Sequence, residues 1–469
     1  MRKVDVLVIG AGLLGCFTAR NLVRYDIDVI VLEQHDDVCR GISKANTGII
    51  YSGYDHKPGS EKYKLCVQAN EEFDQLCRDL DVPFKRTGSL MVGYGPAADR
   101  VIKKKFNDGL QGGIKGIRLL EDSEAERMEP ALRPGITSAL YSESTGTVDP
   151  WELCIAAYEN AASNGAVFVF GAKVISVKRE NNGFTIGTES ETYHASAVVN
   201  AAGLSSDKIR EMTESPDVRL YPTSADYIVL DKDSGQTVQH IIFHEGEDGK
   251  GLTLVPTVDG NLLIGPDTRP SPEEEIIAED MRTAAEGFDA LRDMCEMVVP
   301  GLDLGRQIRT FGSMRPNPFK VYEENGVVLR SDKSIKDIRI MEEDGLLSLI
   351  GIKTPGLTFS NVLGRLTADK AASYIGKAEL RADFDPVRKG IIRARDLTLG
   401  ERADMIAKDP GYGEIICSCM DVTASEIRQA IRRGADDFEA IRRRTGCGMG
   451  KCQGSRCRKR MMDILRREG

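Results

Sequence analysis

The sequence has no run of about eighteen consecutive apolar residues, the length that crosses a bilayer as a helix. Its start also lacks the charged, apolar and small-residue zones of a secretory signal peptide, because a strand-like segment begins almost at once. We therefore expect no membrane span, and we expect the chain to remain in the cytoplasm. Histidine is scarce, with five residues, so few imidazoles are available as general bases.

Composition and charge indicate a globular protein with a distinct tail. A length of 469 residues with 41% hydrophobic and 29% charged residues predicts two or three domains. The net charge is −9, but residues 411–469 carry 13 Lys and Arg against 8 Asp and Glu, a local excess of +5. The arginines are not accompanied by a row of aromatic stacking residues, as they would be in a single-strand binding surface, so nucleic acid is not the expected partner. The basic tail is expected to dock on an acidic protein surface or on the body of the chain.

The eleven cysteines are unevenly distributed. Six are scattered through the body, and five lie within the last 53 residues. Without a signal peptide, free thiols or a metal site are a better explanation than disulfides. The crowding in the tail predicts a metal site there.

The first thirty-three residues read as one dinucleotide-binding unit. An apolar strand over Val4–Ile9 leads into a glycine turn, then into an amphipathic helix and a second strand that ends on Glu33. Gly10 permits the tight turn, Gly12 lets backbone N–H groups approach a pyrophosphate, and Gly15 lets the helix lie close to the sheet. The helix N-terminus favours negative charge, and Glu33 can accept hydrogen bonds from a ribose.

The next loop carries a more specific signal. It contains the run Ser43-Lys44-Ala45-Asn46-Thr47-Gly48-Ile49, followed by Tyr51-Ser52-Gly53-Tyr54 and Lys57-Pro58-Gly59. This resembles the flavin-contacting stretch of the D-amino-acid-oxidase-like superfamily of FAD enzymes, in its glycerol-3-phosphate dehydrogenase and L-2-hydroxyglutarate oxidase branch. The resemblance implies that Ser43, Lys44, Asn46, Thr47 and Gly48 contact FAD. Tyr51 replaces the usual histidine of that branch, so a base or flavin-linking role does not carry over to this position.

Two further segments resemble flavin contacts of the same superfamily. Val198 to Gly203 is a buried strand that ends in small residues, which implies that Gly203 approaches the pyrophosphate. An ordinary tight strand end is the alternative. Gly356, Leu357 and Thr358 follow a strand and precede a helix, a layout suited to the pyrimidine edge of the flavin.

The resemblance also implies substrate-binding and catalytic residues. Arg315 falls on the substrate-binding arginine, and Lys353 resembles a lysine near substrate and flavin in glycerol-3-phosphate dehydrogenases. Arg309 is a further candidate for an anionic group. His56 and His244 are candidates for the base, the latter because a glycine-rich loop over 245–251 could form a lid. Ordinary solvated or core histidines, and a surface lysine at Lys353, are the alternatives.

Basic residues usual in this branch are missing just before one sheet strand. The chain reads Thr223-Ser224-Ala225-Asp226-Tyr227 where the branch has two basic residues and a glutamate. This departure leaves a 2-hydroxy acid open as an alternative substrate.

The tail reads as a metal-binding module. Thr423 and Glu426 have capping-box spacing, and Asp436 is expected to cap a second short helix. All-thiolate ligation suits zinc or an iron–sulfur cluster. The module resembles the bacterioferritin-associated ferredoxin-like domain, which implies a [2Fe–2S] cluster held by Cys417, Cys419, Cys452 and Cys457. Cys447 is a fifth thiol, either a spare or an alternate ligand.

The predicted fold class is α/β plus α+β. It combines a Rossmann-like FAD-binding domain, an inserted antiparallel-sheet substrate domain and a small α-helical iron–sulfur domain. The expected boundaries are 1–90, 146–215 and 326–375 for the FAD-binding domain, 91–145 and 216–325 for the substrate domain, 376–410 for a connector, and 411–469 for the tail.

A flavin joined to an iron–sulfur cluster suits a dehydrogenase more than an oxidase, because the cluster takes up electrons one at a time. The resemblance implies oxidation of sn-glycerol 3-phosphate to dihydroxyacetone phosphate by hydride transfer to flavin N5. Electrons would pass through the cluster to a second flavoprotein that acts as partner subunit, or to quinone, with peripheral membrane association as an option. The alternatives are an L-2-hydroxyglutarate or other 2-hydroxy-acid dehydrogenase, an amine or imino-acid dehydrogenase, and a flavin and iron–sulfur relay without its own substrate.

Overall fold

The computed structural model describes residues 1–246, 249–270, 282–324 and 327–468. Within them the strands are β1 (Arg2–Ile9), β2 (Val29–Leu32), β3 (Ile49–Ile50), β4 (Phe84–Lys85), β5 (Ser89–Gly93), β6 (Ile117–Leu120), β7 (Ser138–Ser142), β8 (Gly146–Val148), β9 (Val167–Val169), β10 (Val174–Glu180), β11 (Gly183–Thr188), β12 (Thr192–Asn200), β13 (Val218–Leu220), β14 (Thr223–Leu230), β15 (Ile241–Gly246), β16 (Gly249–Pro256), β17 (Leu262–Ile264), β18 (Arg269–Pro270), β19 (Gln307–Arg315), β20 (Pro318–Glu324), β21 (Val327–Arg330), β22 (Met341–Glu343), β23 (Leu346–Ser348), β24 (Ile415–Cys417) and β25 (Val422–Thr423).

The α-helices of the same residues lie between these strands and in the tail. They are α1 (Leu13–Leu22), α2 (Glu61–Leu80), α3 (Pro96–Gln111), α4 (Asp122–Met128), α5 (Pro150–Ser163), α6 (Ser206–Arg210), α7 (Ala285–Val298), α8 (Ser360–Tyr374), α9 (Leu399–Lys408), α10 (Ala424–Arg432), α11 (Phe438–Thr445) and α12 (Arg458–Glu468). None of the helices in the described ranges is long and apolar enough to cross a bilayer.

The first sheet is built around β1. This strand pairs in parallel with β2 on one side and with β12 on the other, and β23 continues the parallel set next to β12. Helices α1, α5 and α8 contribute to the core against this sheet. After Arg2, Lys3 and Asp5, β1 is apolar throughout and so is β2, because a parallel sheet covered by helices is buried on both faces. Strand, turn, helix and strand therefore form the dinucleotide-binding unit expected from the sequence.

The second sheet has nine strands and forms a separate layer. Its order is β18-β14-β17-β16-β15-β5-β7-β6, with β19 paired to β14. The pairs are antiparallel except for β5 with β15, which is parallel. The fold class is thereby confirmed, while the domain boundaries given above stay a proposal. Positions 247–248, 271–281 and 325 of the predicted substrate domain, and position 326 of the predicted FAD-binding domain, lie outside the described residues.

Helices α1 and α8 pack unusually closely. A Cβ atom on Gly364 would lie 2.8 Å from the backbone of Phe17, so glycine is required there in the middle of a helix. The side-chain amide of Asn21 also donates to Oδ1 of Asn361 at 3.2 Å. The first half of α8 therefore packs directly against Phe17 and Asn21 of α1.

The tail forms a small domain with its own hydrophobic core. The capping box at Thr423 and Glu426 is present, with the Thr423 hydroxyl accepting from the Glu426 N–H. The second helix, however, is capped by Asp437 and not by Asp436, because the Asp437 carboxylate is the one that accepts from the Ala440 N–H.

A buried ion pair fixes the tail domain to the FAD-binding sheet. Asp37 lies just after β2, and its carboxylate accepts from Arg443 at 2.6 Å and from Arg444 at 2.7 and 2.8 Å. All three side chains are at most 7% exposed. Burial alone would raise the pKa of Asp37, but the hydrogen bonds and charges of Arg444 and Arg443 hold it below its usual value. The predicted docking of the basic tail on the body is therefore present.

We expect Asp37→Asn to destabilise the docked tail by about 3–5 kcal/mol, because it leaves two buried guanidinium groups without a counter-charge. Differential scanning calorimetry at pH 7 should show a lowered first transition. The depressed pKa means that the ion pair contributes fully above the ordinary aspartate pKa, and that its contribution is lost as pH falls through the folded value. The difference between variant and parent should thus shrink below about pH 4. Asp36→Asn, at an exposed neighbouring carboxylate, is the control, and an equal effect of the two changes would contradict the prediction.

Candidate functional site

The glycine turn before α1 forms a cradle that only small residues permit. A Cβ atom on Gly15 would lie 1.8 Å from the carbonyl oxygen of Gly10, and one on Gly12 would lie 2.9 Å from Oγ of Ser43. The Leu13 N–H donates to that same Ser43 hydroxyl at 3.0 Å. The first turn of α1 holds no acidic residue. A helix N-terminus of this kind favours an anion such as a pyrophosphate.

Glu33 is placed to orient the turn as well as a ligand. Its carboxylate is buried and accepts from the backbone N–H of Ala11 at 2.7 Å and of His35 at 3.0 Å. A carboxylate has about four lone-pair sites, so two remain for ribose hydroxyls. The position thus fits the ribose role expected from the sequence.

The predicted flavin loop is held between the two sheets. Asn46 closes it on itself: the side-chain amide donates to the Ser43 carbonyl, and the side-chain oxygen accepts from the Gly48 N–H, both at 2.8 Å. The carbonyl of Lys44 accepts from the indole N–H of Trp151 at 2.9 Å. The carbonyl of Ala45 accepts from the hydroxyl of Ser313 on β19. Thr47 is half-buried and lies between these anchored residues.

The strand end at Gly203 also faces the glycine turn. Gly203 has φ +58°, and a Cβ atom there would meet nothing within 4 Å. A Cβ atom on Gly10 would lie 2.7 Å from the carbonyl oxygen of Ala201, two residues earlier. The ends of β1 and β12 therefore converge, and Gly203 leaves open space beside them.

The segment before α8 contacts the flavin loop through Thr358. The Thr358 hydroxyl donates to the Ile49 carbonyl at 3.4 Å and accepts from the Tyr51 N–H at 3.1 Å. The Gly356 N–H is used within its own turn, donating to the Lys353 carbonyl at 2.8 Å. Helix α8 begins at Ser360, so Gly356 and Leu357 lie in the turn that precedes it and not in its first turn.

These residues fit FAD. Small residues line the cradle, an acid stands at the end of β2, and the loop of Ser43 to Gly48 is tied to the same cradle through Ser43. The predicted contacts at Gly10, Gly12, Gly15, Glu33, Ser43, Asn46 and Thr358 therefore lie together.

A group of cations lies at the end of β19. Arg315 pairs in register with Thr223 on β14. The Lys353 ammonium donates to Oδ1 of Asn317 at 2.7 Å, and the Asn317 amide donates to the Thr223 hydroxyl at 3.1 Å. The structure thus brings Arg315 and Lys353 together. Asn317 was not singled out from the sequence, although its position two residues after Arg315 could have drawn attention to it.

The cations perturb one another. Burial lowers the pKa of Lys353 to about 8, and the positive charges of Lys62, Arg315 and Lys336 act in the same direction. A lysine in this state can hold an anion or accept a proton near neutral pH. Lys62 is a further residue that sequence reasoning missed, because it enters from the start of α2.

Aromatic rings cover the same face of the sheet. Tyr227 stacks on Phe311 with ring centroids 4.8 Å apart, and Tyr51 stacks on Phe243 at 5.9 Å. Burial raises the pKa of Tyr227 to about 12, and the charge of Arg315 opposes that rise. Burial also raises the pKa of Tyr51, again opposed by Arg315. Both phenols therefore stay protonated at neutral pH.

The structure turns one of the two candidate histidines, His244, away from the cations. His244 alternates with Phe243 along β15 and so points to the opposite face, where its ring lies 5.9 Å from that of Tyr94. Burial lowers the pKa of His244, helped by the charge of Arg133. His56 lies in a turn after Tyr51, with its N–H donating to the Gly53 carbonyl.

Two other expectations about this region change. The proposed lid over 245–251 is not a long loop, because β15 and β16 pair up to Gly246 and Gly249; positions 247 and 248 lie outside the described residues. Arg309 lies away from Arg315 and donates to Gln453 of the tail at 3.5 Å.

The tail thiols form two groups. The sulfur atoms of Cys417, Cys447 and Cys457 all lie within 4.8 Å of one another in a buried cluster. Those of Cys419 and Cys452 lie 3.7 Å apart and are more exposed. Two thiolates on one tetrahedral metal, with bonds of about 2.3 Å, stand about 3.8 Å apart, so the second group fits one iron. The four predicted ligands therefore fit an iron–sulfur cluster, with Cys447 beside them.

The glycine-rich loop lets these thiols converge. A Cβ atom on Gly450 would lie 2.4 Å from Cβ of Cys419, so only glycine permits this approach. The Gly448 N–H donates to the sulfur of Cys417 at 3.4 Å. Hydrogen bonding from Cys447 lowers the pKa of Cys417 to about 5, with further help from backbone N–H groups against the effect of burial.

Comparison with known proteins assigns each of these two regions to a protein family. Residues 5–370 match the family described as FAD dependent oxidoreductase, and residues 415–467 match the BFD-like [2Fe-2S] binding domain. The chain is 35% identical to a protein of Caloramator mitchellensis named glycerol 3-phosphate dehydrogenase, over 99% of this chain and 94% of that protein. It is 26% identical to one of the subunits of the anaerobic glycerol-3-phosphate dehydrogenase of Escherichia coli K12, over 99% of this chain and 88% of the relative.

A solved structure shares the fold of the body. The dithionite-reduced L-alpha-glycerophosphate oxidase of Mycoplasma pneumoniae, with FAD bound, aligns with a TM-score of 0.72 at 22% identity, covering 83% of this chain and 99% of the other. The two family matches confirm the predictions of FAD and a [2Fe–2S] cluster.

The close approach at Gly450 provides a test of the cluster site. We expect Gly450→Ala to lower the iron and acid-labile sulfide content severalfold, because the added methyl group would displace Cys419. Flavin content, read from the absorbance of released FAD, should be unchanged. Gly400→Ala is the matched control, since a Cβ atom at that position in α9 would meet nothing within 4 Å. Full cluster content in Gly450→Ala would contradict the prediction.

Proposed function

The chain belongs to the FAD-dependent oxidoreductase family and carries a [2Fe–2S] domain, and from this premise we propose that it oxidises sn-glycerol 3-phosphate to dihydroxyacetone phosphate. The cation group of Arg315, Lys353 and Lys62 carries this proposal, because it suits a small anionic substrate. The full-length likeness to a glycerol 3-phosphate dehydrogenase supports the choice of substrate.

Arg315 is proposed to hold the substrate phosphate. It stands at the end of β19, beside the flavin loop that Ser313 of the same strand anchors. A guanidinium can donate two parallel hydrogen bonds to a phosphate, which fixes orientation as well as position. The stacked rings of Tyr227 and Phe311 exclude water from the adjacent face.

Lys353 is proposed to accept the hydroxyl proton at Nζ. FAD, when bound, supplies the acceptor for the hydride that leaves the substrate carbon. The oxidation therefore needs a base, and Tyr51 occupies the position where related sequences have a histidine. His244 faces the other side of the sheet, whereas Lys353 lies beside Arg315 with its pKa lowered to about 8. The position of Lys353 and its lowered pKa both support this assignment over His244.

The tail is proposed to pass electrons from the flavin region to a partner. The cluster loop contacts β19 through Gln453 and Arg309, so the substrate face and the tail share one strand. Of the two thiol groups, the Cys419 and Cys452 pair is nearer the surface and is the proposed exit side. A second flavoprotein is the proposed acceptor, and the expected cytoplasmic location stays a prediction.

Substrate choice can be tested by anaerobic absorbance spectroscopy of the holoenzyme. We expect glycerol 3-phosphate to bleach the flavin bands within seconds and the broad iron–sulfur absorbance afterwards. L-2-hydroxyglutarate, proline and glycine at the same concentration should leave the spectrum unchanged. Faster bleaching by any of these three would replace the proposed substrate.

Replacing Arg315 by Ala should raise KM for glycerol 3-phosphate by roughly a hundredfold, since losing one partner of a buried charged pair costs about 2–5 kcal/mol. Flavin content should stay at one per chain. Arg309→Ala is the matched control on the same strand, and its KM should change little. Loss of flavin from Arg315→Ala would contradict a role in substrate binding.

The Lys353→Arg variant distinguishes a role of Lys353 as the general base from a role in binding the substrate anion. Because protonated Lys353 cannot accept a proton, kcat/KM of the parent should rise with pH and level off above about pH 8. Arginine keeps the charge but cannot act as a base, so kcat should fall by about 10²–10⁴-fold with KM nearly unchanged. A retained kcat with an unchanged pH profile would assign Lys353 to substrate binding alone.

A further inference from the structure

Cys447 lies inside the cluster site although four other thiols satisfy the expected ligand set. Its sulfur is within 4.8 Å of those of Cys417 and Cys457, and its side chain has no solvent exposure. A sulfur that shares this pocket with two expected ligands is a candidate ligand by position.

The local backbone fixes this position. Helix α11 ends at Thr445, and Gly446 at φ +73° and Gly448 at φ +80° lie on either side of Cys447. The Cys447 N–H donates to the Thr445 hydroxyl at 3.1 Å. The chain therefore turns sharply at this residue and directs its sulfur toward the pocket that Cys417 and Cys457 enter from β24 and from the start of α12.

The two ends of the cluster site differ in the number of thiols available. A [2Fe–2S] cluster takes two thiolates on each iron. The Cys419 and Cys452 sulfur atoms, 3.7 Å apart, match one iron. An iron held by the inner group would have three thiols available, those of Cys417, Cys447 and Cys457, one more than it would need.

We propose that Cys447 is a reserve ligand of the inner iron, which takes the coordination position of Cys457 when that thiolate is absent. In that exchange the Cys447 thiol gives its proton to solvent, and its sulfur forms the bond to iron that Cys457 no longer makes. One thiolate replaces another, so the charge of the site is kept and no electron is transferred. The inference rests on the cluster and is independent of the proposed substrate.

The test compares single removals at the two ends of the site. Cys457→Ala removes an inner ligand that has a reserve, and Cys452→Ala is the matched control at the outer pair. Cys447→Ala and the double variant Cys447→Ala/Cys457→Ala complete the set. Iron and acid-labile sulfide per chain are measured in the anaerobically purified full-length protein, together with the electron paramagnetic resonance signal after dithionite reduction and the flavin content.

We expect Cys447→Ala to keep two irons and two sulfides per chain with an unchanged signal. Cys457→Ala should keep more than half of the cluster with shifted g values, because a sulfur in a new position alters the site. The double variant and Cys452→Ala should lose at least nine-tenths of the iron and sulfide. Flavin should remain at one per chain in all four variants.

Cluster loss in Cys457→Ala as complete as in Cys452→Ala would overturn the proposal. Cluster loss in Cys447→Ala alone would also overturn it, because Cys447 would then be needed in the resting site. If Cys457→Ala loses its flavin as well, Cys457→Ser is used, since serine keeps the volume. Adding Cys447→Ala to that variant should then remove the cluster, and a signal unchanged by the addition would refute the reserve role.

Discussion

The structure depends most on the buried contact between Asp37 and the paired guanidinium groups of Arg443 and Arg444. Asp37 follows β2 by five residues, and β2 ends beside Glu33 of the cofactor cradle. The two arginines lie in the last turn of α11, three and four residues before Cys447. A single carboxylate thus ties the adenosine side of the FAD-binding sheet to the cluster loop. Charges this deeply buried are stable only as a pair, so removal of one partner from the docked tail would leave the other buried without a counter-charge.

The cations near Arg315 differ from the Asp37 contact, because like charges and not opposite charges are gathered there. Lys62 and Arg315 lie close enough to Lys353 to lower its pKa. The Lys353 ammonium donates its hydrogen bond to the Asn317 amide oxygen and not to a carboxylate. Gathering like charges at a partly buried place costs folding free energy in the absence of an anion. Such local conflict is typical of binding sites, because the ligand supplies the missing charge.

Local signals explain which parts could be predicted from the sequence. The glycine turn, the carboxylate at Glu33 and the capping box at Thr423 depend on residues a few positions apart, and each was predicted correctly as a structural feature. Contacts between distant segments were not accessible in the same way. Asn317 and Lys62 reach Lys353 only through the pairing of β14 with β19 and the start of α2. The face on which His244 lies depends on the register of β15, because a shift of one residue would reverse it.

Strand β19 shows how the two redox regions can share one scaffold. Arg309, Phe311, Ser313 and Arg315 alternate along it and therefore project from one face. In that order they contact the cluster loop, stack on Tyr227, anchor the flavin loop and reach the cation group. Six residues of strand span about 20 Å. A rigid element of that length would keep the cation group, the flavin loop and the docked tail in fixed register.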